Sequence, residues 1–122
     1  MKPNFERWHP AMPARRQAGP YIRFSRGKAL FLNIAFCDLL QRKNLHRFDV
    51  YVDKKARVIG LKFFRDEAGH YHIKTKPGQF GFSSFVNQHK PVLGKRLPVT
   101  WNEESGMWIA QLDGKRVPDF TD

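Results

Sequence analysis

From Tyr21 onward, apolar and polar positions alternate in short blocks separated by turn residues. Tyr21-Ile22-Arg23-Phe24-Ser25 has the period of two expected of a strand, Arg26-Gly27-Lys28 interrupts it, and Ala29-Leu30-Phe31-Leu32 is a short apolar strand, which together predict a hairpin. Asn33 is a good helix N-cap, and Ile34, Phe36, Cys37, Leu39 and Leu40 then recur at helical spacing up to Arg42-Lys43-Asn44, so a helix is expected over about 34–43. Phe48, Val50 and Val52 alternate with Arg47, Asp49, Tyr51 and Asp53. Lys54-Lys55 turns the chain, and 57–64 returns as the second strand of another hairpin. Asp66-Glu67-Ala68-Gly69 predicts a turn into a strand over 71–75, which Lys76-Pro77-Gly78 stops.

The pattern then repeats. A short helix is expected over 82–89, a strand over 96–101, a turn at Glu103-Glu104-Ser105-Gly106 and a strand over 107–112. A shift of 49 residues lays Phe36 on Phe85, Arg47 on Arg96, Val50 on Val99 and Asp53 on Asn102. Two similar units, about 21–64 and 70–112, are thus expected to pack about a pseudo-two-fold axis and bury one shared core. The predicted class is α+β, a twisted, mostly antiparallel sheet with two short helices in a single domain over 21–118. The first twenty residues, broken by Pro3, Pro10, Pro13, Gly19 and Pro20, read as an extended basic arm, and 119–122 as a tail.

At 122 residues the chain suffices for one core, and its 41% hydrophobic and 14% aromatic content excludes wholesale disorder. It contains neither an apolar run long enough to span a membrane nor an apolar stretch near Met1 of the kind export requires, so a cytoplasmic location is expected. Charge changes the picture most. The net charge is +11, and it is uneven: residues 1–62 carry 14 Lys/Arg against 4 Asp/Glu, whereas 63–122 carry 8 against 7. A cationic half attracts polyanions through release of their condensed counterions, which points to nucleic acid, DNA before RNA.

The candidate contacts are Arg15 and Arg16 in the arm, Arg23, Arg26 and Lys28 around the first turn, Arg42, Lys43 and Arg47 after the first helix, and Lys54, Lys55 and Arg57 around the second turn. Tyr21, Tyr51, Tyr71 and Trp108 are candidate rings for stacking unpaired bases, as in the strand-rich single-stranded-DNA-binding transcription coactivators. His70 and His72 share a strand face but lack a third ligand, and the lone Cys37 sits among apolar neighbours as a buried thiol. No P-loop, dinucleotide fingerprint, nucleophile elbow or supported acid–base pair occurs, so neither an enzyme nor a cofactor is expected. The rival expectation is a small protein-interaction or inhibitor module of phage or mobile-element type that docks on an acidic protein surface.

The run Ala29-Leu30-Phe31-Leu32-Asn33, the turn of helix ending Asp38-Leu39-Leu40, the strand Phe48-Asp49-Val50-Tyr51-Val52-Asp53 and the returning Arg57-Val58-Ile59-Gly60-Leu61 resemble the AbrB/MazE-type swapped-hairpin DNA-binding module. Asn33-Ile34 stands where that family starts its helix with proline, and His46-Arg47 where it carries a Gly-Asp turn. The resemblance implies intertwined dimers that contact DNA through basic residues near the dimer face. In a duplicated chain it implies an intramolecular pseudo-dimer, so a pseudo-symmetric monomer or a homodimer is expected.

Overall fold

The computed structural model describes residues 19–66 and 68–114. The chain folds as β1 (Tyr21–Phe24), β2 (Ala29–Leu32), α1 (Ile34–Arg42), β3 (Arg47–Asp53), β4 (Val58–Phe64), β5 (Tyr71–His72), β6 (Gly78–Gly81), α2 (Ser83–His89), β7 (Leu97–Pro98), β8 (Thr100–Asn102) and β9 (Met107–Gln111). This is the α+β class the patterning predicts. The strands form two antiparallel sheets rather than one, in the orders β6-β2-β1-β7 and β5-β3-β4-β9-β8. The division falls at Val99, inside what reads as one strand over 96–101. Pro98 has no N–H for a ladder, and the Val99 N–H donates to the Pro20 carbonyl at 3.2 Å, so β7 closes the first sheet and β8 opens the second. The arm boundary shifts accordingly, because Pro20 already belongs to the fold, while the rest of the arm and the 119–122 tail lie outside the described residues.

The 49-residue shift is written into the strand registers. It carries β2 onto β6 from end to end, and it carries the pair Ala29↔Gly81 onto Gly78↔Leu32, another pair in the same ladder. In the second sheet Ile59↔Ala110 becomes Trp108↔Leu61, and Gly60↔Ile109 maps onto itself. Ile22↔Leu97 of β1–β7 becomes Tyr71↔Phe48 of β5–β3. A pseudo-two-fold axis therefore passes through the Gly60–Ile109 pair and midway along the β2–β6 ladder. Neither half can bury its apolar face alone, so the two close on each other.

The shared core contains Ile22, Phe24, Leu30, Leu32, Phe36, Leu40, Phe48, Ile59, Leu61 and Leu97, all at most 1% exposed. Phe48 is its hub, with ring contacts to Phe63, Tyr71 and Phe80 at 4.9–5.3 Å. Truncating such a ring to alanine costs about 3–5 kcal/mol. Two segments depart from their sequence patterns. The strand expected over 71–75 ends at His72, and Gly78–Gly81, whose glycines hide any period, pairs along the whole of β2. A side chain at Gly69 would meet the Phe48 backbone nitrogen at 2.5 Å, so the turn preceding β5 can press against β3 only as glycine.

The helices start differently. Asn33 Oδ1 accepts from Phe36 N–H at 3.1 Å and from Tyr21 N–H at 2.9 Å, and its amide donates to the Gly19 carbonyl at 3.2 Å, so one side chain caps α1 and ties it to β1. Phe82, its equivalent, has no side-chain capping bond. We expect Asn33→Ala to lower unfolding free energy by about 1–2 kcal/mol, at the upper end of cap losses, in urea denaturation. Cys37 faces the core, with Val86 at the equivalent position, and burial pushes its thiol above the usual value of 9.0. The native state thus holds the Cys37 proton to higher pH than the unfolded chain, so this contribution to stability is intact below pH 9 and is lost as pH rises through the folded value. Cys37→Val should keep the Tm at pH 7 and lose less stability than the parent above pH 9, as measured by thermal melts across that range.

Candidate nucleic-acid interface

The turns of the two central hairpins lie at opposite ends of the five-stranded sheet, because β4 and β9 run antiparallel. They share one geometry. Asp53 Oδ1 accepts the Ala56 N–H at 3.0 Å, and its equivalent Asn102 Oδ1 accepts the Ser105 N–H at 2.8 Å. Arg57 has φ of 58°, and its equivalent Gly106 has 68°. The charges differ: one turn carries Lys54, Lys55 and Arg57 where the other carries Glu103, Glu104 and Gly106.

The left-handed conformation of Arg57, unfavourable for a residue with a Cβ, is held by its side chain. The guanidinium forks across the last carbonyls of α2, donating Nη1–H to His89 and Nη2–H to Lys90 at 3.1 Å. It satisfies helix-end acceptors and places positive charge at the negative end of the helix dipole. Lys28, at φ of 63° in the β1–β2 turn, reaches α2 from another side and donates to Asn87 Oδ1 at 2.7 Å. Residue 38 is equivalent to 87, and there Lys76 meets Asp38 Oδ1, also at 2.7 Å. The two lysines come from neighbouring rather than equivalent positions, yet each reaches the same helix position, where Asp38 neutralises its lysine and Asn87 does not. Both Lys76 and Asp38 are more than 40% exposed, so their ion pair adds little stability; its effect is on local charge.

α2 is thus flanked by two cationic turns at one end of the molecule. Arg26, Lys28, Lys54, Lys55, Arg57, Lys90 and Lys95 stand there against Asp53 and Asp113 among the described residues. The links are the Arg57–α2 fork, the Lys28–Asn87 bond, the Leu112 N–H donated to the Arg57 carbonyl at 2.8 Å and the Lys95 ammonium on the Gly114 carbonyl at 3.3 Å. The opposite end, around the C-termini of α1 and β4, carries Arg42, Lys43, Lys62, Arg65, Lys74 and Lys76 with Asp38, Asp66, Glu103 and Glu104 among the described residues.

The residues expected at an interface therefore separate. Arg26, Lys28, Lys54, Lys55 and Arg57 come together. Lys90 and Lys95, which pattern alone did not single out, join them because α2 and the loop after it pack there. Arg42 and Lys43 are exposed at the other end. Arg23 is half-buried over the Phe31 ring at 4.8 Å, and Arg47 donates to the Gly69 carbonyl at 3.4 Å, so both serve the fold. Arg15 and Arg16 lie outside the described residues. Of the four candidate stacking rings, Tyr51 is 48% exposed. Tyr21 lies under the Arg96 guanidinium, Tyr71 stacks on Phe48, and Trp108 packs edge-on against Phe36. His70 meets the Tyr71 ring at 4.8 Å, and its backbone N–H donates to Asp49.

Comparisons with protein families, with curated proteins and with solved structures returned no match to this chain. No helix among the described residues is long and apolar enough to cross a membrane.

Arg57 is spent on α2, which separates its role from that of its neighbours. Arg57→Lys keeps the charge and loses the planar fork, and should lower stability by about 1–3 kcal/mol in chemical denaturation. Lys54→Ala should leave the denaturation midpoint unchanged.

Proposed function

We propose that this chain binds nucleic acid, DNA foremost, through the cationic end around α2, and acts as a regulatory or architectural protein rather than an enzyme. The observation that carries this reading is the charge difference between two ends of one pseudo-symmetric frame. The two turns share one backbone geometry, which does not account for Lys54-Lys55 facing outward at one end and Glu103-Glu104 at the other, or for Asn87 where Asp38 stands. A phosphate backbone running between two cationic turns accounts for both differences through counterion release. The hairpin–helix–hairpin order of the first half, β1-β2-α1-β3-β4, supports the likeness to the AbrB-type module. The internal two-fold supplies what a second subunit supplies in that family, and on this reading the chain works as a monomer with one cationic end.

A protein partner is the second reading, favoured by one feature. The outer face of the five-stranded sheet carries a groove of about 380 Å³ lined by Tyr51, Val58, Met107 and Ile109.

The test is fluorescence anisotropy with labelled oligonucleotides. With about four phosphates neutralised, affinity should fall roughly a hundredfold between 50 and 200 mM salt. The triple reversal Arg26→Glu, Lys54→Glu, Lys55→Glu should weaken binding by at least about tenfold and flatten the salt slope. Arg42→Glu with Lys43→Glu, at the other end, should leave it nearly unchanged. Salt-independent binding, or equal losses from both sets, would sink the reading.

A further inference from the structure

The pseudo-symmetry exposes a second difference, in the backbone. β5 is two residues long and pairs only with Arg47 and Phe48, so among the described residues β3 beyond Phe48 has no strand on that side. Ile73 N–H donates to the His46 carbonyl across this edge, and the two-residue alternation of a strand turns the N–H and C=O of Val50 and Val52 the same way. In the other half, Val99, the equivalent of Val50, donates its N–H to Pro20. The open edge thus belongs to the half that carries the cationic turn.

The edge borders a groove of about 450 Å³ lined by Tyr51, His70, Tyr71, Phe82 and Phe85. One end runs directly into the cationic surface. Val52 leads to Lys54-Lys55, and the Phe85 ring meets His89, tilted by 46° at 4.6 Å, the residue whose carbonyl receives Arg57. At the far end stands Asp49, already accepting from the His70 N–H at 2.7 Å, which repels phosphate and fixes the polarity of whatever enters.

Building on the nucleic-acid reading above, we infer that this groove receives an unpaired nucleobase, so that the favoured ligand is single-stranded rather than duplex. The exposed Tyr51 ring suits one face of a base, the amides and carbonyls of Val50 and Val52 on the open edge suit its hydrogen-bonding edge, and the lysines at the groove mouth suit the adjoining phosphates. A base inside a duplex has its edge occupied and its faces covered. An extended peptide fits less well, because strand addition draws its affinity from a long ladder, and here two residues present their main-chain groups beside a cationic rather than neutral rim.

The test compares a labelled 20-nucleotide single strand with the duplex of the same sequence at two salt concentrations, using the full chain. The single strand should bind about tenfold more tightly, and Tyr51→Ala should remove about that factor for the single strand alone. The Lys54→Glu, Lys55→Glu variant should weaken both. His70→Ala, a second exposed site on the groove wall, guards against a local folding defect in Tyr51→Ala. In ¹⁵N-resolved NMR, the Val50 and Val52 amides should shift with the single strand and stay in place with the duplex. Equal affinity for the two ligands, no effect of Tyr51→Ala or His70→Ala, and still amides overturn the base-binding groove; if charge reversal still weakens binding, the cationic-surface reading survives. Displacement of these two amides by an extended apolar peptide but not by the single strand assigns the groove to a protein partner. Absence of binding to either nucleic acid at low salt overturns both proposals.

Discussion

The ladder between β4 and β9 is the constraint on which the rest of this structure depends. It joins the two halves across Gly60 and Ile109, and because residues 49 apart face each other there, any slip in register would break the two-fold and turn buried side chains toward water. At the axis Met107 packs closely over Gly60, with its sulfur 3.0 Å from where a Cβ would stand. The β2–β6 ladder repeats the same self-pairing in the other sheet. With both ladders set, the Phe48 ring cluster and the two helices have little freedom left.

Near-symmetry of the backbone makes the asymmetries of the side chains informative. Where fold requirements are shared, both halves solve them alike, as in the Asp53 and Asn102 turns. Packing on α2 accounts for Arg57 where the other turn has Gly106, but not for Lys54-Lys55 against Glu103-Glu104. Coulomb repulsion among the clustered cations costs stability on one side only, and a polyanion would relieve it.

That cationic end is also held together by its own charges. Arg57 joins the second hairpin to the C-terminus of α2 through main-chain acceptors, so the position of the free lysines depends on an arginine that is not itself free. Scaffold and surface share a turn, and α2, only seven residues long, depends on packing and on this tie for its stability.

Alternation in Phe48–Asp53, the Asn33 cap and the helical spacing through Leu40 were sufficient to determine two hairpins and a helix from sequence, since those signals are local. The 49-residue echo was legible for the same reason, because equivalent places in the fold demand similar residues. The division into two sheets was not legible: it turns on the Val99 amide meeting a carbonyl nearly eighty residues away. β6 was hidden because glycine carries no pattern, and β5 was overextended because its partner β3 begins at Arg47, opposite His72, a pairing between segments. The candidate site divided along the same line. Net positive charge belongs to composition and could be read directly. Which cations stand together, which of them the fold consumes and which strand edge stays open are three-dimensional properties, set only when α2 packs between two turns that are distant in sequence.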